Sequence, residues 1–167
     1  ALDLELLSTG IPFRFKRDKE ARLGVLPRNG NSSEIRWFQI DPCYVFHQVN
    51  SWEEDNTIVL IVSRQDSAFG EGSGDYSNVG RLYKWVIDMD RGTVSEEAID
   101  DRAGDFGRVN DSFVGLQSKY GYLMSLDGEG NSEEPVYGPH LYKYDLTSGA
   151  CQEHYLGQDV RGAETVF

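Results

Sequence analysis

One histidine stands in an apolar stretch, YVFHQV, that begins at Tyr44 and has the composition of a strand. In such a strand the side chains of Val45, His47 and Val49 would point to one face, because successive side chains alternate. A histidine between two valines is either a core residue with a hydrogen-bond partner or a ligand for a bound group. The residues alone leave both alternatives open for His47, with the structural role the more common one.

The remaining histidines and the cysteines show no spacing of a known catalytic or metal site. His140 and His154 fit no zinc pattern, and the chain contains no G-x-S-x-G motif of a hydrolase. Cys43 and Cys151 are the only cysteines and lack CxxC spacing, which favours free thiols in a reducing compartment. The sequence therefore predicts neither a zinc site nor a nucleophilic triad.

Acids and arginines alternate with apolar residues in DDRAGDFGRVND, Asp100–Asp111. Such a segment can be a surface loop in which neighbouring charges, for example Asp105 and Arg108, form ion pairs. Phe106 and Val109 lie between the charges, however, and indicate that the segment enters the core. A buried carboxylate there needs a partner, and a histidine N–H would serve. The acid of GAETVF, at the end of the chain, poses the same problem.

The bulk composition describes one acidic domain. The 167 residues are 39% hydrophobic, which suffices for one core. Their net charge of −12 disfavours binding to nucleic acid. No apolar run approaches the roughly 18 residues of a membrane span, and the first residues lack the pattern of a secretory signal. Because the chain begins without methionine and ends within an apolar run, we interpret residues 1–167 as a single partial domain from a longer, cytoplasmic protein.

Strand patterns recur along the chain and helical patterns are almost absent. No window shows the i, i+3, i+4, i+7 apolar stripe of a helix, and ALDLELL at the start fits a helical turn as well as a strand. The predicted strands are Glu34–Ile40, Cys43–Val49, Thr57–Arg64, Arg81–Asp88, Ser118–Leu126 and His140–Leu146. The sequence therefore predicts an all-β fold with few or no helices.

Two stretches, Leu82–Glu97 and Leu141–His154, look like copies of one hairpin. Each has Leu-Tyr-Lys-aromatic, then Asp-x-x-x-Gly, then a polar strand, and Gly92 and Gly149 would supply the positive φ of a short turn. Repeated hairpins with long connections favour a β-propeller over a sandwich. At roughly 40–50 residues per blade, the chain would form about three to four blades.

Two segments rich in glycine, serine and acids, Arg64–Gly80 and Asp127–His140, are predicted to be surface loops. The GEGSG run in the first loop lacks the lysine, strand and helix that a phosphate-binding loop requires. We therefore assign neither loop a ligand.

A series of motifs resembles the carotenoid oxygenases, which include carotenoid cleavage dioxygenases, stilbene-cleaving dioxygenases and the retinoid isomerase of the eye. FHQVNSWEED is similar to the family's F-H-x-x-N-A-x-E, with Ser51 in place of alanine, and DDRAGDFGRVND to its D-D-R-x-x-E-F-P-R-I-N. KYGY and LYKYDLTSG resemble R-Y-G-Y and L-x-K-x-D-x-x-x-G. GVLPR, LYKWVIDMDRG and GAETVF also match, and the matches run in the family's order along most of the chain.

The resemblance implies a seven-bladed β-propeller with ferrous iron, Fe(2+), held on its axis by four histidines. His47 is then one of the four iron ligands and a catalytic residue, with its valine neighbours holding the ring rigid. Family glutamates accept the far N–H of these histidines, and two of their positions fall at Asp105 and Glu164. The resemblance implies that Asp105 serves His47 and that Glu164 serves a histidine beyond Phe167.

The chain departs from the family pattern near the implied site. Asp105 stands where the family has glutamate, one methylene longer, and Gly107 replaces a proline. His140 and His154 match no ligand motif, so the other iron ligands are expected outside the chain. The isolated segment is therefore expected to be inactive and to hold no catalytic iron by itself.

The resulting hypothesis is a non-haem iron dioxygenase that cleaves a conjugated C=C bond of a carotenoid, apocarotenoid or stilbene to two carbonyl products. Its partners would be O₂ and an apolar conjugated substrate, with peripheral membrane contact only through regions outside the chain. Phe46, Trp52 and Phe106 are candidates for the pocket wall. The alternatives are a metal-free or truncated propeller that acts as a non-catalytic binding scaffold, and a relative that isomerises or hydrolyses its substrate.

Overall fold

The computed structural model describes residues 2–8, 12–68, 79–127 and 136–167. These residues form ten strands and three short 3₁₀ helices at Leu4–Ser8, Ser32–Glu34 and Asp111–Phe113. The strands are β1 Ala21–Val25, β2 Arg36–Ile40, β3 Tyr44–Glu54, β4 Thr57–Gln65, β5 Arg81–Asp88, β6 Thr93–Ala98, β7 Gly104–Arg108, β8 Tyr120–Asp127, β9 Val136–Asp145 and β10 Cys151–Tyr155. The all-β prediction is confirmed; of the first residues, Leu4–Ser8 form a helical turn, and Leu2 forms an isolated bridge with Phe13.

The strands build three antiparallel sheets in which neighbours along the chain are neighbours in space. β1 pairs with β2, β3 to β6 form one four-stranded sheet in the order β3-β4-β5-β6, and β7 to β10 form a second in the order β7-β8-β9-β10. Each four-stranded meander is a propeller blade. The described residues supply two whole blades and two further strands, β1 and β2. Residues 12–20 and 156–167 contribute no strand.

The two predicted hairpins are present, and the structure explains their shared Asp-x-x-x-Gly pattern. Asp88 Oδ1 accepts the N–H groups of residues 90 and 91, and Asp145 Oδ1 accepts those of residues 147 and 148. These hydrogen bonds lower the pKa of both carboxyl groups. Gly92 and Gly149 have φ of 72° and 75°, a conformation that glycine adopts without strain.

The main core lies between the two blades. It combines side chains from both sheets: Val49, Trp52, Val59, Ile61, Leu82, Val109, Leu123, Tyr142 and Tyr144. A second cluster of Ile40, Val62 and Trp85 joins β2 to the first blade, and Val45 packs against it. Val45 and Val49 therefore lie in different clusters, which differs from the predicted alternation along β3.

The predicted loops lie mostly outside the described residues, at 69–78 and 128–135. One boundary of each predicted loop was wrong, because Arg64 and Gln65 belong to β4, and residues 136–140 belong to β9, whose Val136 and Tyr137 pair with β8. Both cysteines are free thiols, as predicted. No helix among the described residues is long and apolar enough to cross a membrane.

Asn50 of β3 holds the segment that follows β7. This residue is 5% exposed; its Nδ2 donates to the carbonyls of Phe113 and Leu116 at 3.2 and 2.8 Å, and its Oδ1 accepts the N–H of Gly115 at 3.1 Å. The asparagine of the motif FHQVN therefore has a structural role, one that ties the first blade to the second.

We expect Asn50→Ala to lower the free energy of unfolding of the full-length protein by about 1–3 kcal/mol, because it leaves partly buried backbone groups without partners. The Gly115 amide should exchange with solvent faster, which hydrogen-exchange mass spectrometry measures. Asn56→Ala, at an exposed asparagine in the β3–β4 turn, is the control. Equal effects of the two substitutions would contradict the assigned role of Asn50.

Candidate metal-ligand site

His47 lies where the pairing of β3 with β4 is irregular. Val45 pairs with Arg64 and Gln48 with Val62, with register shifts between Val45 and Gln48 and between Gln48 and Asn50. Such irregularities bend a strand and redirect its side chains. Here the imidazole turns toward β7, the first strand of the second blade.

His47 and Asp105 form a hydrogen-bonded pair across the two blades. His47 Nδ1 lies 3.0 Å from Asp105 Oδ2, and Asp105 is buried, with 5% of its surface exposed. Because a carboxylate oxygen accepts, Nδ1 carries the proton and donates, which leaves Nε2 with a free lone pair when the ring is neutral. Nε2 has no hydrogen bond to any residue that the structure describes, and the side chain is 37% exposed. The aspartate is thus long enough to reach the histidine.

The carboxyl group of Asp105 is buried, and one of its oxygens, Oδ2, accepts the hydrogen bond from His47. Burial raises its pKa, and the hydrogen bond and charge interaction with His47 oppose that rise. Its Oδ1 is buried and has no hydrogen-bond partner among the described residues. The preceding carbonyl, of Gly104, accepts the hydroxyl of buried Ser63 at 2.7 Å, which fixes the backbone from which Asp105 projects.

Aromatic rings lie around the imidazole, whereas Val45 and Val49 pack with the two core clusters. Phe106 has φ of 55°, and its ring centroid lies 4.7 Å from that of His47; the ring of Tyr137, tilted by 45° to that of Phe106, lies 5.4 Å from it. The ring centroid of Phe46 lies 6.4 Å from that of His47, and Phe46 is 41% exposed. Two of the predicted wall residues, Phe46 and Phe106, therefore border His47, whereas Trp52 is a core residue.

Tyr137 is the neighbour that sequence reasoning missed. Its position at the start of β9 places its ring against Phe106 with 37% of its surface exposed. It lies within a segment predicted to be a loop, and no local pattern in that segment indicates contact with a residue of β7. Only the pairing of β8 with β9 brings it there.

The charged residues beside Asp105 are paired with one another. Arg108 lies 3.0 Å from Asp111 and 3.9 Å from Glu164, whose side chain is half-exposed. Arg108 therefore pairs with these two acids and not with Asp105, which contacts His47 instead. The histidine that Glu164 would serve, beyond Phe167, stays a prediction.

The described part of the chain supplies one nitrogen ligand rather than a complete metal site. No three histidine, cysteine, aspartate or glutamate side chains of the described residues converge where a metal ion could be held. His140 Nε2 lies 3.4 Å from Glu153, and His154 is exposed. His47 nevertheless fits a metal ligand, because neutral imidazole with its far nitrogen bound to a carboxylate is a common donor in metal sites.

Comparison with known proteins identifies relatives over nearly the whole chain. The model of the family described as retinal pigment epithelial membrane protein matches residues 2–167. A carotenoid cleavage oxygenase of Mycobacterium tuberculosis is 33% identical over 168 residues, which cover 96% of this chain and 33% of that protein. The carotenoid 9,10(9′,10′)-cleavage dioxygenase 1 of Pisum sativum is 37% identical over 143 residues, 80% of this chain and 25% of that protein.

Among solved structures, the cobalt-substituted apocarotenoid oxygenase of Synechocystis superimposes with a TM-score of 0.74 at 25% sequence identity, over 90% of this chain and 32% of that one. The chain thus spans about a third or less of the length of these proteins. The superposition confirms that the two blades belong to a propeller of this type.

Proposed function

Because the chain belongs to the retinal pigment epithelial membrane protein family, we propose that it is a segment of a dioxygenase that cleaves a conjugated C=C bond in a carotenoid-type substrate. The names of its relatives, a carotenoid cleavage oxygenase and a carotenoid cleavage dioxygenase, support this reaction class. The products would be two carbonyl compounds, and the co-substrate would be O₂.

The observation that carries the proposal is the His47–Asp105 pair. With Nδ1 occupied at 3.0 Å and Nε2 free, His47 would hold a ferrous ion through Nε2, together with ligands from outside this chain. A ferrous ion, when bound, would supply the activation of O₂ for C=C cleavage. The cobalt-substituted form of the Synechocystis enzyme supports metal binding by proteins of this fold.

The residues of this chain hold the ligand in place and keep its surroundings apolar. Asp105 keeps the proton on Nδ1, so that Nε2 stays unprotonated and faces away from β7. Phe106 packs on one face of the imidazole and restricts its rotation. The exposed rings of Phe46 and Tyr137 beside it would contact an apolar conjugated substrate and exclude water.

The structure weakens the main support for a metal-free scaffold. Loss of the metal would be expected if Asp105 and Gly107, the two departures from the family pattern, disrupted the site. The shorter carboxylate nevertheless contacts His47 directly, so the departures do not break the histidine–carboxylate pair. An isomerase or hydrolase of the same family would use the same ligand, and product analysis distinguishes it from a dioxygenase.

We further propose that the whole protein is cytoplasmic, with peripheral membrane contact through regions outside this chain. The net charge of −12 supports partners other than nucleic acid. Cell fractionation of the full-length protein, with and without a high-salt wash, tests the proposed location.

Removal of the metal tests the proposed function. We expect treatment of the full-length protein with an iron chelator to abolish cleavage of a carotenoid or apocarotenoid, and Fe²⁺ to restore it where Zn²⁺ does not, because Zn²⁺ has no redox chemistry. Chromatography of the carbonyl products and incorporation of ¹⁸O from ¹⁸O₂ are the measurements. Cleavage that survives complete iron removal would overturn the proposal.

A further inference from the structure

The two strands that carry His47 and Asp105 also approach each other closely at Val49 and Gly107. A Cβ atom added to Gly107 would overlap Cγ2 of Val49, lie 3.2 Å from its Cβ and 3.4 Å from its Cα. The Cα distance shows that the backbones themselves are close at this point. Only glycine fits at residue 107 with β3 and β7 at their present separation.

The close contact and the hydrogen-bonded pair belong to the same interface. His47 faces Asp105, and two residues further along both strands Val49 faces Gly107. The strands therefore run in the same direction here, and their separation at one pair determines their separation at the other. Aspartate has a short side chain, so its reach of 3.0 Å to Nδ1 depends on that small separation.

We propose that Gly107 is a positioning residue for His47: it lets β7 lie close enough to β3 for the carboxylate of Asp105 to hold the imidazole. This inference rests on the proposed function of His47 as a metal ligand. Gly107 and Asp105 are then a matched pair, in which the absent side chain at one position compensates for the short one at the other.

Val49 has little freedom to make room for a larger residue at position 107. Val49 is 6% exposed and packs in the main core, and its β-branched side chain has few allowed rotamers. A methyl group at residue 107 would therefore displace β7 rather than Val49. A shift of about 0.5 Å would carry the 3.0 Å pair to the limit of a hydrogen bond, at roughly 3.5 Å.

The test uses three variants of the full-length protein: Gly107→Ala, Gly107→Ala with Val49→Ala, and Gly107→Ala with Asp105→Glu. The first introduces the clash, the second removes the methyl groups that cause it, and the third lengthens the carboxylate. Gly24→Ala is the control, because a Cβ there would crowd Trp37 at 2.8 Å, within the β1–β2 sheet. The measurements are the ¹⁵N-histidine NMR signal of the His47 Nδ1–H in metal-free protein, and the affinity for Fe²⁺.

Gly107→Ala is expected to lose the hydrogen-bonded Nδ1–H signal and to bind Fe²⁺ roughly 10-fold more weakly. This is the lower end of the loss in metal affinity that follows when a metal-bound histidine loses its hydrogen-bond partner. Both double variants should regain the signal and most of the affinity, although Val49→Ala further lowers stability. A signal retained in Gly107→Ala, or absent from both double variants, would overturn the inference. Because the NMR signal is recorded without metal, absence of Fe²⁺ binding in the wild type would count against the proposed function alone.

Discussion

His47→Ala in the full-length protein is expected to abolish both iron binding and substrate cleavage. The substitution removes Nε2, the nitrogen that we propose binds the metal and that has no hydrogen-bond partner among the described residues. Removing a residue hydrogen-bonded to a metal ligand typically lowers metal affinity by roughly 10–100-fold. Removing the ligand itself should lower it further. Iron content by mass spectrometry and carbonyl products by chromatography measure the two effects.

Two further variants distinguish a role of His47 in binding metal from a role in packing. His47→Asn retains an N–H that can donate to Asp105 but lacks the second nitrogen, so it should keep the melting temperature and lose iron. His140→Ala removes a histidine whose Nε2 lies 3.4 Å from Glu153 and should keep both iron and activity. Full iron content in His47→Asn would show that His47 is a structural residue only.

Local signals predicted the strands and hairpins well. The β-branched and aromatic run of Arg81–Asp88 is a strand with the predicted bounds. The turn after it follows from Asp88, whose carboxylate accepts two turn amides, and from Gly92, whose φ is positive. These signals were sufficient because each acts within a few residues of the chain.

The strand β7 was harder to predict. Gly104–Arg108 contains two glycines and two charged residues, a composition typical of loops. Its extended conformation comes from pairing with β8 and from the hydroxyl of Ser63, which holds the carbonyl of Gly104. Such contacts join segments that are far apart in sequence, and no local pattern reports them.

The same limit applies to the site. The residues alone left the role of His47 open, and the family resemblance suggested its pairing with Asp105, which the structure shows at 3.0 Å. The register shifts around His47, the positive φ of Phe106 and the contact of Val49 with Gly107 had no sequence signal. Each concerns how segments distant in the sequence fit together, which local patterns do not report.

Asp105→Ala is expected to weaken Fe²⁺ binding by about 10–100-fold, the usual cost of removing the carboxylate behind a metal-bound histidine. Without Asp105 Oδ2, the Nδ1–H of His47 has no protein partner among the described residues. The ring is then free to rotate and to carry its proton on Nε2, the nitrogen that should bind the metal. Titration of the metal-free, full-length protein with Fe²⁺ measures the loss.

Asp105→Asn and Asp111→Asn distinguish the charge of the carboxylate from its position. The amide oxygen of Asp105→Asn can still accept the Nδ1–H, so its loss of affinity should be smaller than that of Asp105→Ala. Asp111 lies on the same segment but contacts Arg108, at 3.0 Å, and Asp111→Asn should bind Fe²⁺ as the wild type does. If Asp105→Ala also bound Fe²⁺ with wild-type affinity, the aspartate would be a packing residue, and the orientation of His47 would depend on Phe106 alone.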